Sequence, residues 1–382
     1  MVIKMQQQTK TDNLTEGRYL IALLRAAIRQ KEAPVPAPNV DGEKLYRLAK
    51  RHMVAATVAR TVKETGICPQ ELLPKWEKAE RATLQKELRF DGEREEILQA
   101  FDEAGINYLP LKGIVIKEYY PRKGMRQFAD NDILYDQTKK QQADKIMRSL
   151  EYQSDGFSSA HDIYTKKPYF NFELHRTLFD ERFDVDYFDR VWERAVKDEG
   201  ENCAYHMTDE DFYIYLLGHF KKHYENGGAG LRSFADLYLV RKNLKIENPD
   251  YVEACLRETG MTEFEKEVVE ISESFFGEEE REVSAETLEY IFSSGAFGTE
   301  QHVAENRSKE HGRVGGLFRL IFPPYREMIL RNRILKKVPI LLPFFWVERL
   351  FTFVFSKRKI KKAVLAVKVF FRRGAGRSDK KE

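Results

Sequence analysis

Apolar residues recur at helical spacing over most of the chain. Leu20, Ile21, Leu24, Ala27 and Ile28 fall on one helical face, and the proline-rich KEAPVPAPNV (31–40) interrupts the pattern. Asp41 has the side chain of an N-cap for a second helix over 42–64, whose stripe is Leu45, Leu48, Met53 and Val54. The stretch 76–105 reads as one long helix ending at Gly105. Beyond it the period changes. INYLPLKG (106–113) predicts a short strand entering a glycine turn, IVIKEYY (114–120) a short helix, DNDILYD (130–136) a strand and QTKKQQADKIMRSLE (137–151) a helix. HDIYTKK (161–167) and YFNFELHRTL (169–178) predict two more strands. Helical spacing returns from Tyr187, through 209–224 and 231–244. The expectation is an α+β chain, mostly helical. It divides into an N-terminal helical region 1–105, an α/β core 106–182, a second helical region 183–305 and a C-terminal segment 306–382, with no internal repeat.

Composition narrows the class without changing this order. The chain has 382 residues, 42% hydrophobic and 33% charged, which fits a soluble globular protein and excludes fibrous and low-complexity classes. Cys68, Cys203 and Cys255 are far apart with no ligand-like spacing, so neither a disulfide framework nor a structural zinc site is indicated. With no apolar run at the N-terminus, the expected location is cytoplasmic. Charge is uneven: from His311 onward 19 Lys and Arg face 4 Asp and Glu, a local +15 within a net charge of +3. VPILLPFFWVERLFTFVF (338–355) approaches the length of a membrane span, but Pro339, Pro343, Glu348 and Arg349 interrupt it, which predicts short amphipathic helices and no stable span. The following 356–382 read as a basic amphipathic helix, with an anionic membrane surface, nucleic acid or an acidic protein as candidate partners and a peripheral membrane location as the corollary.

The chemistry concentrates in KGMRQFADNDILYD (123–136). Side chains alternate along a strand, so Asp130 and Asp132 project to one side while Asn131 and Ile133 project to the other. Two carboxylates so placed repel unless they face solvent or share a cation, and oxygen ligands of this kind suit Mg²⁺ or Mn²⁺. In YFNFELH the apolar face carries Phe170 and Phe172, leaving Asn171, Glu173 and His175 on the polar face, from which Glu173 can reach the same ions. In LPLKGIVIKEYY, Gly113 permits close backbone approach at a turn and Lys112 adds a point charge suited to phosphate.

LPLKGIVIKEYYPRKGMRQFADNDILYD resembles the Leu-Lys-Gly, Tyr-Pro, Gly-x-Arg and Asp-x-Asp signature of the uncharacterised nucleotidyltransferase family, a branch of the polymerase-beta-like nucleotidyltransferase superfamily. FELH (172–175) resembles its acid-bearing strand, and LLGHFKKHYENGGAGLRSFADLYLVRKN and RLIFPPYREM extend the likeness over most of the chain. The resemblance implies a minimal nucleotidyltransferase core, a small mixed sheet with helices, embedded between helical regions. It implies Asp130, Asp132 and Glu173 as catalytic metal ligands and places Lys112, Gly113 and Arg126 near the nucleotide phosphates. The wider superfamily opens its active-site helix with Gly-Ser, where this chain has Lys112-Gly113 and so supplies no serine hydroxyl.

Further candidates for the cleft are His175, His219, His223, Arg232 and Asp236. His219 and His223 share a helix face at i, i+4, but the intervening residues lack the glutamate of a zinc-protease helix. Arg232 and Asp236, also i, i+4, have the spacing of an intrahelical ion pair. The function expected is Mg²⁺-dependent transfer of a nucleoside monophosphate from an NTP such as ATP to an acceptor, with pyrophosphate released by a two-metal mechanism. The alternative is a non-catalytic nucleotide-binding or membrane- or partner-binding module on the same fold.

Overall fold

The computed structural model describes residues 14–354 apart from Pro38 and residues 158–159, 181–185, 201–202, 280, 300, 304–305, 307–317, 320–321, 330–331 and 333. Four helices come first: α1 (Leu14–Arg29), α2 (Gly42–Arg51), α3 (Ala55–Thr65) and the long α4 (Leu73–Glu103). Asp41 caps α2 as expected, its carboxylate accepting from the backbone N–H of Glu43 and Lys44 at 2.9 and 3.0 Å. The single helix expected over 42–64 is instead two. Met53 turns the chain at φ 56°, and His52 is drawn inward, where Nδ1 accepts from the Leu231 N–H at 3.1 Å and Nε2 lies 3.3 Å from the Phe292 carbonyl. Tertiary hydrogen bonds made by a buried side chain override a continuous helical pattern here.

The sheet follows: β1 (Tyr108–Pro110), the short α5 (Gly113–Ile116), β2 (Asn131–Tyr135), α6 (Lys140–Ser149), β3 (Gln153–Phe157), β4 (His161–Lys166) and β5 (Phe170–His175). Spatial order is β1-β2-β5-β4-β3, with β2 and β5 parallel and every other pair antiparallel. β3 was not expected; QSDGF lacks the β-branched run that marks a strand and is held by pairing with β4. A two-stranded ribbon, β6 (Val196–Lys197) with β7 (Tyr205–His206), also escapes a pattern reading because each strand is only two residues long. Helices α7 (Asp209–Gly227), α8 (Leu231–Asn243), α9 (Pro249–Glu258), α10 (Thr262–Phe276) and α11 (Ala285–Ser294) complete the body.

Two apolar clusters organise these elements. Leu20, Leu24, Val58 and Trp76 from the first helices pack in one cluster with Phe234, Leu237, Phe276 and Phe292, so the helical regions before and after the sheet share a core. The second cluster sets Phe90, Ile97 and Phe101 of α4 against Ile133, Tyr135 and Phe172 of the sheet. One long helix therefore belongs to both, and it fixes the sheet against the helical body. The three cysteines are free. Toward the C-terminus Leu342–Val354 is helical, and among the described residues no helix is long and apolar enough to cross a membrane. The basic helix expected over 356–382 lies outside the described residues.

Candidate active site

The loop that leads into β2 is tied down from one side by α4. Glu87 accepts from the Gly124 N–H at 2.7 Å, Lys86 donates to the Phe128 carbonyl at 2.9 Å, and Arg94 donates to Asn131 Oδ1 at 3.0 Å. Asn131, a polar residue at an inward position, is thus a tether between strand and helix. With Asn131 held on that face, strand alternation turns Asp132 to the other. Asp132 pairs in register with Glu173 on the parallel neighbour β5, so the two acids expected from separate strands are side by side. Asp130 lies just before β2.

Lys112 sits over these acids, its Nζ 2.6 Å from Asp132 Oδ1. The residue adopts φ 44°, ψ −113°, an uncommon conformation for a side chain with a Cβ and one that costs of order 1–3 kcal/mol. It is held there by the Leu111 N–H bond to the Asp132 carbonyl at 2.9 Å and by the turn of α5 that follows. Gly113 leaves space that Arg126 fills: a Cβ on it would stand 2.6 Å from Nη1 of Arg126 and displace the guanidinium. That arginine is buried and engaged, with Nε and Nη2 donating to the two carboxylate oxygens of Asp236 at 2.9 and 2.8 Å while the Tyr120 hydroxyl donates to the same acid at 2.7 Å. Asp236 is therefore paired with Arg126, not with Arg232 one helical turn away on α8. Arg232 instead donates to the Gln127 carbonyl at 2.8 Å and contacts Met53 Sδ at 3.2 Å, and its buried Nε has no partner.

Histidines surround the acids. His175 Nε2 is 2.8 Å from Asp132 Oδ1 and 3.6 Å from Glu173 Oε2, and His161 Nε2 is 3.4 Å from the same glutamate oxygen. His161 opens β4 as the register partner of His175. Its sequence context signalled only a strand, and its place on the face of Glu173 comes from the register, in which Ile163, two residues on, lies opposite Glu173. From α7, Tyr215 is buried with its hydroxyl unpartnered, and His219 and His223 bring their Nε2 atoms to 3.2 Å. The charges of Lys112, Asp132 and Glu173 all act on Tyr215.

The electrostatics follow from crowding acids in a place poor in water. Burial, and then the charge of Asp132, push Asp130 up to about 6. Burial works the same way on Asp132, but Lys112 and His175 outweigh it and hold its carboxyl far below the usual range. Glu173 is also lowered: burial is overcome by the hydrogen bond from His175 and the charges of His161 and Lys112. Burial, with the Lys112 charge adding to it, keeps His219 neutral, well below the ordinary histidine range. The site thus holds one carboxylate poised near neutrality, two firmly ionised acids and a lysine as their counter-charge.

No curated protein matches the chain. Among solved structures it is similar to an antibiotic-resistance factor, ANT(2'')-Ia, known from a solution structure, with 12% identity, 47% of this chain and 98% of that chain covered, and a TM-score of 0.36. The model of the uncharacterised nucleotidyltransferase family matches residues 38–277, which takes in the sheet, the acids of β2 and β5 and the helices that enclose them, and the chain belongs to that family.

Proposed function

We propose that this protein transfers a nucleoside monophosphate from an NTP to an acceptor and releases pyrophosphate, using Mg²⁺ or Mn²⁺ held by Asp130, Asp132 and Glu173. The observation that carries this reading is the register pairing of Asp132 with Glu173 under the ammonium of Lys112. Three acids drawn toward one place, with Asp130 pushed up to about 6, make a donor set short of positive charge, and that fits a hard divalent cation. Bound there, such an ion would neutralise the acids and polarise phosphate oxygens.

The chain's own groups supply the rest. Lys112 is a fixed point charge beside the acids, of the kind that pairs with phosphate. Arg126 serves in this reading as a positioning residue: its bidentate pair with Asp236 ties the loop before the acids to α8, and its Nη1 fills the space that Gly113 leaves. Arg232 is the better candidate for a phosphate contact, because its hydrogen bonds go to a carbonyl and a thioether and it acts on Asp130 and Asp236 only through space. On α7, Tyr215, whose buried hydroxyl has no partner, and His219, held neutral, are in this reading the groups that would orient an acceptor hydroxyl.

Incubating the protein with cell extract and NTPs labelled at the α- or γ-phosphate tests this reading. Retention of α-label on an acceptor, with pyrophosphate released, is the expected result. Retention of γ-label would make it a kinase, and no retention with either label would favour the non-catalytic binding module.

A further inference from the structure

We propose that His161, Glu173 and His175 form a mixed nitrogen and oxygen metal site that takes a first-row transition-metal ion in preference to Mg²⁺. The inference deepens the nucleotidyl-transfer reading and rests on it for the use of the ion, while the site itself stands on geometry.

Among the described residues these three form the group of His, Cys, Asp or Glu side chains whose ligand atoms all lie within 4.8 Å of one another. Strand pairing fixes the arrangement. His161 is opposite His175, Ile163 opposite Glu173, and Asp132 beside Glu173, so residues two apart on β4 and on β5 share one face of the sheet with the acid of β2. Glu173 Oε2 stands between the rings, 3.4 Å from His161 Nε2 and 3.6 Å from His175 Nε2. Ligand bonds of about 2.0–2.2 Å at tetrahedral or octahedral angles imply donor–donor separations of about 3.0–3.5 Å, close to the two separations from Glu173 to the histidines. The rings are 4.8 Å apart between centroids and tilted by 37°, so the two imidazoles are close neighbours on the face of Glu173. The Nδ1 of His175 is buried without a partner, so what orients this ring is whatever Nε2 binds, which in the metal-free chain is Asp132 at 2.8 Å.

The donor set decides the preference. Mg²⁺ demands oxygen ligands and sheds water reluctantly, whereas Mn²⁺, Co²⁺ and Zn²⁺ accept imidazole readily. A site built only for Mg²⁺ gains nothing from two imidazoles at this position.

Mn²⁺ is the probe, because its electron spin reports directly coordinated nitrogen. Pulsed electron paramagnetic resonance of the full chain with one equivalent of Mn²⁺ is expected to show ¹⁴N modulation, and calorimetry is expected to give Mn²⁺ at least about 10-fold tighter binding than Mg²⁺. His161→Gln, at a half-buried strand end, should keep the fold by circular dichroism, weaken the modulation and lose about 10-fold in Mn²⁺ affinity, with Mg²⁺ affinity little changed. Mn²⁺ held without ¹⁴N modulation would overturn the inference and leave nucleotidyl transfer on an oxygen-only site standing. Equal affinities for the two ions would overturn it as well. Modulation in a protein that moves no nucleotide would support the metal site and count against the transfer reading instead.

Discussion

Lys112 Nζ and Asp132 Oδ1 are 2.6 Å apart, a charge-assisted bond that joins the glycine turn to the central acid of the sheet. In the proposed reading the lysine has two roles in one position, since it pairs with a buried carboxylate and would offer a positive charge to phosphate. Lys112→Ala is therefore expected to lower NTP affinity by about 10-fold or more and to weaken its dependence on Mg²⁺. Titration calorimetry with a non-hydrolysable NTP measures this, and unchanged affinity would reduce the turn to a structural device.

The acids should be separable from folding. Asp132→Asn keeps the shape of the carboxylate, and although it breaks the ion pair with Lys112, Asp130 and Glu173 remain as counter-charges acting on the ammonium. Far-UV circular dichroism should be unchanged, while transfer falls by about 10³-fold, roughly 4 kcal/mol of transition-state stabilisation. Asp130→Asn should behave alike. Near-normal turnover in either variant contradicts their assignment as metal ligands.

Arg126 and Asp236 should respond in the opposite way. Their bidentate pair is buried on both sides, and removing one partner leaves the other charge stranded. Asp236→Asn is expected to destabilise the protein by about 3 kcal/mol in urea denaturation. If stability is unchanged and only NTP affinity falls, Arg126 contacts phosphate directly and is not mainly a brace.

The sequence and the structure agree where a local pattern had one solution. The strand over 130–136, the helix over 209–224 and the N-cap at Asp41 each depended on neighbours a few residues away. Asp132 and Glu173 were legible as chemistry because acids in alternation with apolar residues need a reason. His161 was not, because its meaning comes from facing His175 across β4 and β5, a pairing with no local mark. The partner of Asp236 was not legible for a related cause: i, i+4 spacing offered Arg232, but a buried acid takes the donor that can satisfy both its oxygens, and Arg126 comes from more than a hundred residues earlier.

His52 supplies a prediction about pH that does not involve the active site. Burial, with Arg51 adding to it, lowers its pKa to about 3, from an ordinary 6.5. A histidine whose folded pKa is depressed contributes its stability above the unfolded value, and that stability is lost as pH falls through 6.5 toward 3, because only the unfolded chain takes up the proton. Between pH 7 and pH 5 this group alone should cost about 2 kcal/mol. His52→Gln should be less stable at pH 7, having lost the ring bonds to Leu231 and Phe292, yet its stability should fall less steeply over the same interval. Parallel slopes for parent and variant in denaturant titrations at the two pH values would show that His52 protonates in the folded state.

The C-terminal segment is expected to meet an anionic membrane surface, nucleic acid or an acidic protein, and the membrane is the case that vesicles test directly. Ile340, Phe344, Val347 and Phe351 follow one another at steps of four, three and four residues, and Ile340, Phe344 and Phe351 are 83%, 64% and 65% exposed. Trp346, by contrast, donates Nε1–H to the Pro323 carbonyl at 2.9 Å and packs edge-on against Phe322, so the helix is anchored on one side and presents apolar residues on another. Eight Lys and Arg between 357 and 373 lie next in the sequence. An apolar stripe followed by concentrated positive charge matches an anionic bilayer, in which the stripe enters the headgroup boundary and each basic residue near the surface adds about 1 kcal/mol. In vesicle sedimentation the protein should pellet with anionic and not neutral lipid, and the difference should shrink as salt shortens the screening length. Removing residues 356–382 should abolish the preference for anionic lipid, and Phe344→Ser should weaken binding with the charge unchanged. Both changes should leave transfer to a soluble acceptor intact, because the residues assigned to the site, from Lys112 to Asp236, all lie outside the segment. Equal pelleting with both lipids, or none with either, rejects the bilayer and returns the basic segment to an acidic protein or nucleic acid.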